Sequence, residues 1–207
     1  DYTNVTDLSL FTGNSAFLET STFVATAAGE AFERNNVSDI VWMEDDPPTT
    51  KQTYPSGTWH DLTSTTFPRK VSGSKAFQTD IHTLNAPDGY AYFFSGASST
   101  LTINTGDTLF AYVYLDPDNP PSEVMLQWNN GNWSHRAYWG QTIITWGTDG
   151  TAASRRMGDL PPTGKWVRLE VPANIVGLEG SSVNGFSVAL SNGRIAFDRA
   201  GKTATEY

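Results

Sequence analysis

The sequence predicts an all-β protein, an antiparallel β-sandwich of jelly-roll type. Three observations predict it. Between Asp39 and Asp198 the chain is a succession of short apolar or alternating runs, each broken by Gly, Pro, Asn or Asp. Aromatic residues make up 13% of the chain and charged residues only 17%, a balance that suits a β-rich module better than a helical enzyme. The length, 207 residues, accommodates one sandwich with an appendage and leaves too little for two full domains.

Residues 1–36 are rich in Thr, Ser, Ala and Asn and contain no tryptophan, so they read as a linker or leading segment, with one short helix expected at 27–34 (AAGEAFER). Residues 37–207 form the sandwich. Its strands are expected at DIVWM (39–43), YAYFF (90–94), STLTIN (99–104), TLFAYVYL (108–115), EVMLQW (123–128), HRAYWG (135–140), TIITW (142–146), WVRLEV (166–171), GFSVAL (185–190) and RIAFD (194–198). Loops fall at DDPPTT, APDG, DPDNPP, NNGN, LPPTG and SNG, where proline pairs and turn formers exclude a central strand.

The formal net charge is −9, with no basic run or stripe, so binding driven by phosphate neutralisation has no footprint and nucleic acid is excluded as a partner. The same charge favours a neutral glycan over alginate or pectin. Cysteine is absent, which removes disulfides, thiolate catalysis and cysteine metal sites. No apolar run is long enough for membrane insertion, and the opening DYTNVTDLSL lacks the basic and apolar regions of a signal peptide, so a mature or excised piece is expected. Three N-x-[ST] matches, at Asn4, Asn36 and Asn132, are near chance in so Asn- and Ser-rich a chain.

The stretch from Trp128 to Trp146 holds four of the seven tryptophans plus Tyr138, among Asn, Gln, His and Arg. Flat apolar rings beside amide and guanidinium donors are what sugar rings favour, so Trp133, Tyr138, Trp139 and Trp146 are the first candidates for stacking. Ordinary core packing is the competing reading of the same rings. A hairpin through NNGN sets Gln127 near Arg136 or Tyr138, a polar pair suited to sugar hydroxyls or to a plain cross-strand contact. Along TLFAYVYL, Leu109, Ala111, Val113 and Leu115 share one face, and Phe110, Tyr112 and Tyr114 the other. That aromatic face, with Tyr112 and Tyr114 as candidates, is either a second platform or covered by another segment.

A lyase reading gives Arg136 a uronate to neutralise, with His135 and Tyr138 moving protons. His135 and Arg136 are consecutive, so in a strand they point to opposite faces, which speaks against it. Glu44, Asp45 and Asp46 follow the first strand and Asp198 ends the last, oxygen donors that suit Ca²⁺ if those strands are neighbours, or else a solvated acidic turn. No P-loop, dinucleotide loop, nucleophile elbow or HExxH motif is present.

VWMEDDPP, GDTLFAYVYLDPDNPPSEVMLQWNNGNWSHRAYWG, ITWGTDGTA, MGDLPPTGKWVRLEVPANIVGLEG and VNGFSVALSNGRIAFDRAG together resemble a β-jelly-roll module of large bacterial secreted and surface proteins. The plan is also similar to the galactose-binding-like sandwiches that include many carbohydrate-binding modules. In those a structural calcium joins the opening segment to an acidic residue on the last strand, and Asp45, Asp46 and Asp198 are the matching positions. The resemblance implies a non-catalytic module that binds a polysaccharide, secreted or on the cell surface, as one part of a larger multidomain protein. A polysaccharide-degrading lyase or hydrolase, and a structural or adhesive module, are the alternatives.

Overall fold

A computed structural model describes residues 38–63 and 68–204. The leading segment 1–36, its expected helix and two of the sequons lie outside the described residues.

Two six-stranded sheets pack face to face. The first runs β11 (Trp166–Pro172), β7 (Thr108–Leu115), β14 (Ile195–Ala204), β4 (Ala76–Gln78), β3 (His60–Leu62), with β1 (Ser38–Met43) also paired to β14. The second runs β10 (Arg155–Gly158), β9 (His135–Gly140), β8 (Glu123–Asn129), β13 (Gly185–Ser191), β5 (Tyr90–Phe94), β2 (Gln52–Tyr54). Most neighbours are distant in sequence, as in β8 beside β13 and β7 beside β14, because the chain crosses between the sheets in jelly-roll fashion. Pairing is antiparallel except at β9 and β10. A small ladder joins β6 (Leu101–Thr102) to β12 (Ser182–Val183), and a 3-10 turn spans Ala173–Val176.

Period-two patterning builds the core. Leu109, Ala111, Val113 and Leu115 of β7 face Val124, Leu126 and Trp128 of β8 and Val188 of β13 across the sandwich, joined by Phe77 and Phe197. Each such large side chain, removed from water, contributes about 1.5–3 kcal/mol. Trp139 belongs to this interior, 8% exposed, and so is core rather than a stacking surface.

Of the expected strands, 142–146 is not one. Its amides go elsewhere: Ile143 and Ile144 donate N–H to the buried carboxylate of Glu123, at 2.6 and 2.8 Å, and Thr145 donates N–H to the carbonyl of Pro87 at 2.9 Å. The segment lies across the outer face of the second sheet, where Ile144 packs on Met125, Tyr138, Ala189 and Ala91.

Candidate cleft on the outer face of the second sheet

The register of the second sheet sets its outward side chains in rows. Arg136 stands opposite Gln127, Gln127 opposite Ser187, and Ser187 opposite Phe93. The next row holds Tyr138, Met125, Ala189, Ala91 and Tyr54. Segment 141–150 covers the inner part of this second row; in the first row Gln127 and Ser187 are buried, and Arg136 and Phe93 are half-buried at its ends. The result is a cleft of about 290 Å³ lined by Tyr54, Ala91, Phe93, Gln127, Trp133, Arg136, Trp146 and Ser187.

Two aromatic pairs frame it, each joining a ring from a loop to a ring from the sheet. Trp133 meets Phe93 edge-on with centroids 5.6 Å apart, and Trp146 meets Tyr54 edge-on at 6.2 Å. The loop bearing Trp133 is set by its own amides: Asn129 Oδ1 accepts from Gly131 N–H and Asn132 Oδ1 from Ser134 N–H, both at 2.8 Å. Gly131, with φ of 115°, supplies the turn. Gly147 follows Trp146 with φ of 81°, and its Cα lies so close to the carbonyl of Ala153 that a side chain there would collide with it.

Between the rings runs a chain of hydrogen bonds. Arg136 Nη1 donates to Ala153 O at 3.0 Å and Nε to Gln127 Oε1 at 2.8 Å, while Gln127 Nε2 donates to Ser187 Oγ at 3.2 Å. Desolvation pulls the Arg136 pKa down from its ordinary value. Below, the Tyr138 hydroxyl meets Asp149 Oδ1 at 2.7 Å and Thr142 Oγ1 at 2.9 Å; burial, and then the bond to Asp149, drive its pKa up against the lowering effect of Thr142. Tyr138 is fully buried, so its ring offers no face to a ligand. Its place is beneath the loop that carries Trp146, which it pins together with Glu123.

The structure thus brings Trp133, Trp146, Gln127 and Arg136 together in one cleft, turns Trp139 into the core and buries Tyr138 under it. Sequence reasoning missed Tyr54, Phe93 and Ser187. The alternation of YAYFF sets Phe93 opposite to Tyr92 and Phe94, but nothing in the sequence pairs β5 with β13.

Tyr112 and Tyr114 are elsewhere, on the outer face of the first sheet, and that face is covered. The Arg168 guanidinium lies 3.7 Å from the Phe110 ring centroid and 5.7 Å from that of Tyr112, held there by both oxygens of Asp39 at 2.7 and 2.9 Å. Tyr114 is buried with Leu62, Ala76, Ala196 and Trp166. The expected platform is closed because β1 and β11 each bring a charged or aromatic cover to it.

His135 is turned away from Arg136, as alternation requires. Its Nδ1 lies 2.7 Å from Val176 O and its Nε2 3.0 Å from Asn130 Oδ1, so both ring nitrogens are engaged in holding the 3-10 turn and the adjacent loop.

β1 and β14 are indeed neighbours, yet Asp45, Asp46 and Asp198 do not meet at one point. Asp198 is buried and accepts from Val71 N–H at 2.7 Å, Ser72 N–H at 3.3 Å and Arg199 N–H at 2.8 Å. Its carboxyl is pushed up to about 6, first by desolvation and further by the charge of Glu44, against those three bonds. Asp45 Oδ1 accepts from Ser74 N–H at 2.5 Å and Lys75 N–H at 3.1 Å. Asp46 faces solvent and pairs with Lys75 at 2.7 Å and Lys51 at 3.9 Å. Glu44, the first of the three acidic residues after β1, is the carboxylate nearest Asp198 in role: its Oε1 accepts from the Ser72 hydroxyl. Among the described residues no three acidic or histidine side chains converge at metal-ligand spacing.

No protein-family model matches the chain, and no curated protein matches it. Several solved structures are similar to it. One is the xylan-binding domain CBM22-1 of Xyn10C from Paenibacillus barcinonensis, with 14% identity, 82% of this chain and 97% of that one covered, and a TM-score of 0.45. Another is the K3 cleaved adhesin domain of Lys-gingipain from Porphyromonas gingivalis w83, with 13% identity, 80% and 98% coverage and a TM-score of 0.41. A third, described as addressing the promiscuous specificity of carbohydrate-binding modules from the β-sandwich superfamily, has 11% identity and a TM-score of 0.44; 79% of this chain is covered, and it spans 62% of that structure's chain. The likeness is one of architecture, a β-sandwich.

Proposed function

We propose that the cleft binds a polysaccharide and that the protein is a non-catalytic carbohydrate-binding module, part of a larger secreted or surface-exposed protein. One observation carries this: half-buried Trp133 and Trp146, each braced edge-on by a second ring, flank half-buried Arg136, which is backed by the buried polar pair Gln127 and Ser187. A pyranose presents an apolar C–H face and a rim of hydroxyls, and the cleft offers the complement of both. The rings take the faces. The amide, guanidinium and hydroxyl groups fix the orientation, and because they are already bonded to one another they lose little freedom when a sugar arrives.

Intrinsic tryptophan fluorescence tests the reading. Titration with soluble polysaccharides shifts the emission of Trp133 and Trp146 if the cleft binds them; an unchanged spectrum across a broad panel favours a structural or adhesive module, and shortening of a polymer favours an enzyme.

Calcium belongs to the proposal only as a structural ion. The carboxylates that would hold it are Asp198 and Glu44, which both reach Ser72; Asp46 is committed to lysines. Its chemistry would be to neutralise two facing carboxylates and tie the 71–75 loop to the last strand.

A further inference from the structure

Arg136 is a cation without a counter-charge. Lys51, Lys75, Arg168, Arg194, Arg199 and Lys202 each meet a carboxylate within 4 Å, whereas Arg136 meets none among the described residues. Its two protein bonds go to neutral oxygens, the Gln127 amide and the Ala153 carbonyl. A half-buried guanidinium loses hydration that two neutral acceptors replace only in part, and a fold that keeps such a group where a ligand lies invites an anion to complete it.

We propose that the cleft recognises a uronate, a sugar whose carboxylate pairs with the outer edge of the Arg136 guanidinium while its ring lies against the flanking aromatics. This rests on the polysaccharide reading of the same cleft and narrows its ligand to an acidic glycan. Nε donates to Gln127 and Nη1 to Ala153, which leaves Nη2 as the guanidinium nitrogen that donates to a ligand carboxylate. Gln127, oriented by donating to buried Ser187, holds the guanidinium in place.

The net charge of −9 decides between two kinds of acidic glycan. At about 0.1 M salt only charges within about 10 Å of one another interact strongly, so a lone uronate feels chiefly its contact to Arg136, while a densely charged polymer lying along the acidic surface is repelled at each charge that comes within that distance. Isolated uronates on a largely neutral backbone fit; an unbroken polyuronate does not. Charge alone had favoured a neutral glycan, and the position of Arg136 revises that preference.

The test uses glucuronoxylan, arabinogalactan bearing glucuronate, and xanthan, each beside its own carboxyl-reduced form, in which the uronate becomes a neutral sugar and nothing else changes. Binding by at least one of the three that falls about tenfold or more on carboxyl reduction is the expected result, the size of one charge-assisted hydrogen bond pair. Arg136→Gln removes the preference for the acidic form and Arg136→Lys keeps part of it. Because the ligand carries the decisive change, the comparison stands even if a variant folds poorly. Equal binding of acidic and reduced forms, or preference for dextran sulfate, overturns the uronate assignment and leaves the polysaccharide reading intact; preference for polygalacturonate overturns the restriction to isolated uronates. Binding of no glycan, acidic or neutral, overturns both.

Discussion

Arg136 and Gln127 stand directly opposite one another on β9 and β8, and the guanidinium Nε donates to Gln127 Oε1 at 2.8 Å. This one cross-strand bond places the polar floor of the cleft, because Gln127 passes the constraint on to Ser187 on the next strand. The rings at the rim are held by other means, and the two kinds of support separate in mutagenesis.

Trp133→Ala and Trp146→Ala each weaken polysaccharide binding by about 2 kcal/mol, roughly thirtyfold, as expected of aromatic anchors in a small interface. Trp133→Ala changes thermal stability little, whereas Trp146→Ala also lowers it, because that ring packs on the cluster of Ile144, Met125 and Tyr138. Calorimetric titration of each variant beside its melting temperature measures the two effects independently.

Arg168→Ala does the reverse. It uncovers Phe110 and Tyr112 on the first sheet and frees Asp39, lowering stability by about 1–2 kcal/mol, an amount discounted for the partial exposure of the pair. Glycan affinity stays at the wild-type value, since this face is remote from the cleft. Chemical denaturation and a binding isotherm on the same sample check both halves.

Tyr138→Phe keeps the buried ring and deletes the hydroxyl that bonds Asp149 and Thr142. Loss of those bonds costs about 1 kcal/mol and loosens segment 141–150. Binding weakens, but by less than in Trp146→Ala. Faster amide hydrogen exchange at 141–150, with the rest of the second sheet unchanged, is the accompanying sign.

Glu123 anchors the same segment and supplies a pH dependence. Burial raises its pKa first, the amides of Ile143 and Ile144 lower it, and Asp149 raises it again, with the net direction upward from 4.5. A carboxyl whose folded pKa lies above its unfolded one contributes stability that is complete below the unfolded value and is lost as pH rises through the folded value. Glu123→Gln removes this component, so the melting temperature of the variant falls less than that of the wild type as pH rises above 4.5. Parallel melting profiles of the two proteins over that range would contradict it.

Calcium, if it joins Asp198 and Glu44, stabilises by mass action. Millimolar CaCl₂ then raises the melting temperature at pH 7, EDTA reverses it, and Asp198→Asn abolishes the response. An unmoved melting temperature in all three conditions removes the ion from the account.

Alternation made much of this legible. It separated Leu109, Ala111, Val113 and Leu115 from Phe110, Tyr112 and Tyr114, turned His135 from Arg136, and set Gln127 near Arg136 or Tyr138 through the NNGN hairpin, of which the register selects Arg136. Local pattern fails where the decisive contact is remote. Residues 142–146 have the β-branched composition of a strand, but Glu123 captures their amides and Met125 and Ala189 their apolar side, so they become a cover. Tyr112 loses its open face to Arg168, which Asp39 holds from 129 positions away in sequence. Strands of three residues, β2 to β4, are too short to show a period, which is why Tyr54 was not seen as part of the cleft.

Affinity electrophoresis of the wild-type protein and a Trp133→Ala/Trp146→Ala double variant through gels containing a panel of polysaccharides tests the central claim most directly. Retardation of the wild type in at least one gel, lost in the double variant, is the predicted result. Equal retardation of both proteins, or free migration of the wild type in every gel, would contradict it.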